Sequence, residues 1–426
     1  MRHVWKFFAS VRLAIFLLTV LALTSVIGTI IPQHQPAAFY VERYSPGLAA
    51  FFQALDIPSM YGSWWFVGLL ALLAANLIVC SFDRLPNVWR IIRADAADTP
   101  IERIEKIPER AYLPNIGEAA LPAVQRLLAA RGFKAASESL FIAEKGAWSR
   151  LGAYIVHLSI LIIFAGALVG QHYGFKGSLM LPEGNATGAV FLNQSREAKP
   201  LGFTLRCDFF AIEYYDNGMP KEYLSRLTII EDGKPVLSRD VKVNQPLRYK
   251  GITFYQSSYQ PYDDFIVEFT KNGGDRRGFI IPFQQQEEWQ EEEMSFGVLN
   301  AEARGQQMER LKLWLKKGGN DPVVLPLAAG EETVYDQYKV RVRQLYATGL
   351  QVAKDPGVPL VYFGCGLLIF GLYVAFFLAH RRCFALLRRT ETGHDLLLAG
   401  TSNKNRLGFA RDFAALKEEI EKTLAA

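Results

Sequence analysis

Residues Leu151–Gln171 read LGAYIVHLSILIIFAGALVGQ, twenty-one positions with one imidazole and no formal charge. A hydrocarbon core of about 30 Å is crossed by about 20 apolar residues in a helix, so this stretch predicts a membrane-spanning helix with His157 inside it. Three further stretches, Leu13–Ile31, Ser63–Phe82 and Gly357–Ala379, have the same length and character. They lie in charge-free gaps between Arg12 and Glu42, Asp56 and Asp83, and Asp355 and Arg381. The expected fold class is therefore an integral membrane α-helical protein with four transmembrane helices. The first is read as a retained anchor, because its apolar run is longer than a cleavable core and no Ala-x-Ala site follows it before Ile31-Pro32-Gln33.

Around these helices the composition is that of ordinary globular protein. Of 426 residues, 50% are hydrophobic and 21% charged, which excludes disorder and a collagen repeat. Lys+Arg 47 against Asp+Glu 42 leaves a formal charge of only +5, too small to suggest a nucleic-acid surface. The placement of the basic residues is more informative than their total. Arg2, Lys6 and Arg12 precede the first helix, ten Lys/Arg fall between Asp83 and Trp148, and nine follow His380, whereas Pro32–Gly62 holds only Arg43. Because cytoplasmic flanks retain positive charge, both termini and the loop after the second helix are expected in the cytoplasm. The predicted organisation is 1–82 for two helices and a short outer loop, 83–149 for a small α/β cytoplasmic insert, and 150–171 for the third helix. A large mostly-β extracytoplasmic domain follows at 172–356, then the fourth helix at 357–380 and a cytoplasmic tail at 381–426. In a bacterium the expected location is the cytoplasmic membrane, with the far side in the periplasm.

The β assignment rests on short runs rich in Val, Ile, Thr, Tyr and Phe, such as Phe203–Tyr215, Leu224–Glu231, Pro235–Val243 and Gly251–Tyr259. Asp216-Asn217-Gly218, Asp232-Gly233 and Asn272-Gly273-Gly274 punctuate them as hairpin turns do. The charged stretch Glu287–Lys317 is expected to contain a helix around Met308–Leu315. On the other side, Leu121–Arg131 has helical spacing before Gly132, Leu140–Glu144 reads as a hairpin strand, and Phe409–Leu424 as a terminal amphipathic helix.

The common catalytic signatures are missing. Cys80, Cys207, Cys365 and Cys383 contain no Cys-x-x-Cys or Cys-x-x-Cys-His, so neither a thioredoxin-like reductant nor covalent c-type haem attachment to this chain is indicated. Small apolar filler is the expected role of all four. There is no Walker A loop, His-Glu-x-x-His helix or Gly-x-Ser-x-Gly elbow.

His157 is the costly residue, lying about 10 Å beyond Arg150 at 1.5 Å per residue, too deep for an imidazole to reach water easily. Two uses fit it. A neutral imidazole is a good axial ligand for haem iron, and a buried polar group also serves in hydrogen bonding across helices, for which Asn76 is an available partner. Gly166 and Gly170 lie roughly opposite His157 and suit close helix packing. The other histidines, His3, His34, His172, His380 and His394, fall at edges or outside the spans, so a second axial ligand is expected from another subunit. His380 is expected to be an interface anchor beside Arg381-Arg382.

The chain resembles the ResB (CcsB) family. The resemblance is carried in order by Ser10–Leu18 running to Gly28–Gln33, Ser63–Phe66 running to Asn76–Arg84, Arg150–Ser159 with Gly174–Gly177 and Glu183-Gly184 downstream, and Asp355–Tyr362 ending at His380–Arg382. It spans residues from about 5 to 385. The resemblance implies a subunit of the system II machinery for cytochrome c biogenesis. It implies transient haem b, held through its iron by His157 with the second ligand on a CcsA/ResC partner, and delivery to apocytochrome c kept reduced by a thiol-disulfide reductant. It further implies that the chain is not catalytic alone but is part of a holocytochrome c synthase complex. The chain has no Trp-rich motif ending in Asp, which the family's partner carries. A haem-free scaffold for that partner, and a transporter of another solute, are the competing readings; four dissimilar spans without repeated halves argue against the last.

Overall fold

The computed structural model describes residues 2–425 except 194, 218, 272, 273, 305, 306 and 392. The turns expected at Asp216-Asn217-Gly218 and Asn272-Gly273-Gly274 therefore fall partly outside the described residues. The chain forms two compact units, Met1–Ala167 with Pro359–Ala426, and Leu168–Val358.

Among the described residues, four helices are long and apolar enough to cross a membrane: Val11–Ile30, Trp64–Arg93, Ala147–Tyr173 with its 3₁₀ first turn, and Val358–Phe377. They are called the first to fourth apolar helices below. Large side chains such as Ile15, Phe16, Ile369 and Phe376 are left exposed along them, as lipid-facing helices require and water-facing ones avoid. Leu17 and Leu21 of the first helix meet Phe66, Leu73 and Leu77 of the second, with Ile160, Leu161 and Phe164 of the third packed alongside. The third and fourth pack more closely. A Cβ at Gly364 would meet Ile163 Cγ1 at 2.6 Å, and one at Gly371 would meet Ile155 and Val156 at 3.0 Å, the small-residue device by which helices approach in lipid.

The second helix runs eleven residues past its expected end at Phe82, to Arg93. It passes through Pro86, which has no N–H to offer the carbonyl of Phe82. The extension is held by aromatic contact, with Trp89 edge-on to Trp148 at 5.5 Å and Arg93 4.8 Å from the Trp89 ring. The connection 32–62 also carries more structure than expected, with helices at Ala37–Tyr44 and Pro46–Ala54 packed around Ile31, Tyr40 and Phe52.

The insert and the tail join in one five-stranded antiparallel sheet. Its order is Glu109–Ile116, Gly393–Ser402, Arg381–Thr390, Leu140–Lys145, Lys134–Ala135. Side chains alternate between its faces. Ala385, Leu387, Leu396 and Leu398 meet helices Leu121–Ala130 and Arg406–Ala425 through Val124, Leu128, Phe409 and Phe413. Phe384, Leu386, Leu397 and Ala399 meet Ala96, Ile104 and Ile107 on the opposite face. The run Leu396-Leu397-Leu398 is apolar throughout because both faces are covered.

The second unit is β. Strands Ile252–Lys271 and Tyr338–Lys354 pair antiparallel along most of their length and form the spine of a ten-stranded sheet. One half of this spine, with Phe254, Leu350 and Val352, shares a core with Leu205, Cys207, Leu227 and Ile229. The other half, with Phe265, Val267, Val340 and Val342, packs on a four-stranded sheet through Phe296, Leu311 and Leu313. Register shifts at Gln256/Ser258 and Pro261/Phe265 separate the halves, as bulges do where a strand must bend.

The helix expected around Met308–Leu315 is not formed. Gln307–Lys317 is a strand between Met294–Arg304 and Val323–Ala328. Leu311, Leu313 and Leu315 are buried at a spacing of two, with the exposed Lys312 and the half-buried Trp314 between them, which is the period of a strand rather than a helix. Glu183 accepts two hydrogen bonds from the Arg343 guanidinium, one from Nη1 at 2.6 Å, and a third from the Phe210 backbone N–H at 3.2 Å. Gly184 follows at φ +81°, where a side chain would be strained. The Glu183-Gly184 pair thus has a structural explanation.

Candidate functional site

The third apolar helix carries His157 and the second carries Ser81, and their packing brings Ser81 Oγ to 3.0 Å from His157 Nδ1. The imidazole is half-buried, with the Tyr154 ring edge-on at 6.3 Å, one turn before it on the same helix. Nε2 has no hydrogen-bond partner among the described residues. Tyr154 also walls an apolar groove of about 520 Å³, together with Leu85, Pro86 and Trp89 of the second helix and Leu151, Ile155 and Leu158 of the third; His157 and Ser81 themselves do not line it. Leu85 and Trp89 lie one and two turns beyond Ser81, so one stripe of the second helix supplies both the hydroxyl and the apolar wall.

Asn76 is not the partner of His157. Its Nδ2 donates to the carbonyl oxygens of Phe8 at 2.6 Å and Ser10 at 3.1 Å. These carbonyls stand at the break between helix Arg2–Phe8 and the first apolar helix, where the chain leaves them unused and burial makes that costly. Asn76 is therefore a structural tie. The serine that takes its expected place carries a sequence signal only in retrospect, as a hydroxyl five residues further along a helix that was already assigned.

His380 is not a surface anchor. It is 3% exposed and uses both ring nitrogens: Arg150 Nε donates to Nδ1 at 2.8 Å, and Nε2 lies 2.6 Å from Glu144 Oε1. Arg382 also donates to Glu144, at 2.8 Å, and to the Ala94 carbonyl at 3.0 Å. With Nδ1 accepting, the ring is neutral and carries its proton on Nε2. Burial holds its pKa below the ordinary imidazole value; the Glu144 contact pulls it back up, and Arg150 and Arg382 push it further down. This network ties the start of the third helix, the end of the fourth and the five-stranded sheet together.

The remaining candidates stay apart from the His157 site. His34 contacts Ser59 at 3.4 Å, and His172 packs edge-on against Tyr173 at 4.8 Å. Among the described residues no other histidine shares a hydrogen bond or ring contact with His157, and no group of three or more His, Cys, Asp or Glu side chains could hold a metal ion. All four cysteines are free thiols. Cys207 is fully buried, and burial first, then the nearby Glu183 charge, push its thiol up to about 12; it is inert at neutral pH.

A bare metal ion finds too few ligands here. A porphyrin brings four nitrogens of its own and asks the protein for an imidazole and an apolar surface; His157 Nε2 and the groove that begins at Tyr154 are groups of those two kinds. The class of protein is thereby defined: four apolar helices of membrane-crossing length, a large β unit, and an intramembrane-type histidine with a free nitrogen beside an apolar groove, consistent with a membrane protein. The family can then be stated. A ResB-like family model matches residues 11–324 and 299–414, and the chain belongs to that family. It is similar to the cytochrome c biogenesis protein CcsB of Gloeobacter violaceus, 29% identical over 446 residues, covering 99% of this chain and 92% of that one. It is also similar to the CcsB proteins of two Synechococcus strains, JA-2-3B'a(2-13) and JA-3-3Ab. Each is 30% identical over 96% of this chain, covering 91% and 88% of theirs.

Proposed function

We propose that this chain is a haem-handling membrane subunit of cytochrome c biogenesis, in which His157 would hold the haem iron together with a second ligand from a CcsA/ResC-type partner. The observation that carries the reading is His157: one nitrogen held by Ser81, the other without a hydrogen-bond partner, beside a groove of apolar walls, in a chain whose relatives bear the name CcsB. Bound haem supplies the iron and the vinyl groups that apocytochrome thiols attack. The chain's own contribution is to orient one imidazole and to exclude water along Leu85, Trp89 and Leu158. Because the partner and the acceptor provide the remaining groups, the chain is a component of a synthase complex rather than an enzyme by itself.

The membrane topology proposed is four crossings with both termini cytoplasmic. The basic flanks support it, as does the pairing of Leu140–Lys145 with Arg381–Thr390, which needs the insert and the tail on the same side. The unit Leu168–Val358 is then assigned to the periplasmic side, or to the lumen in a thylakoid.

The test is the visible absorption spectrum of the full chain co-purified with its partner, parent beside His157→Ala, with yield and subunit ratio measured for both. A Soret band lost or shifted in an intact His157→Ala complex is the expected result. Identical spectra and unimpaired cytochrome maturation would overturn the reading and leave a haem-free scaffold in its place.

A further inference from the structure

We infer that Ser81 is a positioning residue for His157, setting the tautomer and ring plane in which Nε2 can take an axial position on haem iron. The inference rests on the haem reading above and deepens it.

A neutral imidazole carries one proton, and a nitrogen that bears it cannot coordinate a metal. For Nε2 to bind iron the proton must therefore be on Nδ1, and Nδ1–H then needs an acceptor. In lipid-depth surroundings an unmatched N–H is costly. Ser81 Oγ, 3.0 Å from Nδ1, is that acceptor. A serine hydroxyl can also donate, and donation to Nδ1 would select the opposite tautomer, with the proton on Nε2. Ligation decides between them: when Nε2 holds iron, Nδ1 carries the ring proton, and the hydroxyl can then only accept from it. No other hydrogen bond to the imidazole exists among the described residues, so this one contact carries both the tautomer choice and the ring orientation. Metal-ligating histidines commonly donate their second nitrogen to such an acceptor, and losing it lowers metal affinity by about 10–100-fold.

His380 shows the alternative. There Nδ1 accepts from Arg150, so the proton is on Nε2 and no nitrogen is left for a metal. The two histidines lie in one unit and hold opposite tautomers because opposite kinds of group meet Nδ1.

The experiment is haemin titration, in detergent, of the full chain purified with its partner after haem removal, reading the Soret position and the apparent Kd. The proteins are parent, Ser81→Ala, Ser81→Thr, Ser81→Cys and His157→Ala. Ser81→Ala is expected to weaken haem binding by about 10-fold or more and to shift the Soret band while the complex stays intact. Ser81→Thr, which keeps the oxygen, is expected to match the parent. Ser81→Cys keeps the shape but offers a poor acceptor, and is expected to follow Ala; it supplies the readout should Ala fail to accumulate. If Ser81→Ala and Ser81→Cys bind haemin as the parent does while His157→Ala does not, the positioning role is overturned and the haem reading stands. If His157→Ala also binds as the parent does, both fall.

Discussion

His157 and His380 are two imidazoles of one unit, and the difference between them separates a proposed site from a strut. His380 has both ring nitrogens engaged, by Arg150 and by a Glu144 that Arg382 also holds, and its backbone N–H donates to Asn403 Oδ1 at 2.7 Å. His157 is held by one hydroxyl at one nitrogen, with the Tyr154 ring edge-on to it. Full satisfaction of a buried polar group contributes rigidity; a nitrogen left over contributes chemistry. Burial by itself therefore does not mark a functional histidine, since the more deeply buried of the two is the structural one.

The comparison can be broken most decisively by exchanging the losses. Replacing His157 by Ala is expected to abolish or strongly change the haem spectrum with little change in thermal stability, because only one hydrogen bond to Ser81 is given up. Replacing His380 by Ala should do the reverse, lowering yield and melting temperature and leaving the spectrum of the surviving protein unaltered. Equal spectral losses in the two variants would dissolve the distinction.

Glu144→Gln sharpens the same contrast with a smaller change. It removes the carboxylate that His380 and Arg382 share and leaves two guanidiniums facing a neutral ring. Loss of a hydrogen-bonded buried charge costs about 1–3 kcal/mol, at the lower end here because Glu144 is partly exposed. Denaturant or thermal unfolding in detergent is the measurement, and an unchanged midpoint would show that the network is dispensable.

A milder perturbation is pH. The folded-state pKa of His380 lies below its unfolded value, with burial the largest cause, so the folded form resists a proton that the unfolded chain accepts. Its contribution to stability is present above the unfolded value of about 6.5 and is lost as pH falls from there through the folded pKa. The slope of melting temperature against pH between about 5 and 7 is expected to flatten in His380→Asn. A slope that persists unchanged would assign the acid sensitivity to other groups. The smallest effect is expected at Cys207. Cys207→Ala, at a core position shared with Leu205 and Leu227, should lower the melting temperature slightly and leave thiol reactivity of the native protein unaltered, as followed with a maleimide.

Much of the architecture was open to reading from the chain alone. Twenty apolar residues without charge have few uses other than crossing a bilayer, and the four stretches appear as four helices, three near their expected bounds and the second running eleven residues beyond its expected end. Strands such as Ala198–Tyr214 and Pro220–Glu231 follow from β-branched and aromatic runs between turn residues. The helix expected around Met308–Leu315 fails for a local reason: inside the charged stretch Glu287–Lys317, Leu311, Leu313 and Leu315 alternate as a strand does. The two C-terminal strands were missed for another reason, since a sheet covered on both faces loses its alternation and reads as a plain apolar run.

For the site, the sequence by itself determined that one imidazole would be carried within an apolar helix with no second histidine at its depth, because the cost of burying that ring follows from its neighbours along the chain. Tertiary structure alone decided what each ring nitrogen meets. Asn76 and Ser81 stand on the same helix five residues apart, about half a turn different in direction. Which of them reaches His157, and whether His380 is a surface anchor or a locked strut, depends on how helices rotate and on which loops pair into a sheet. Those choices are set by contacts between residues far apart in sequence, as between Glu144 and His380, and local composition does not encode them.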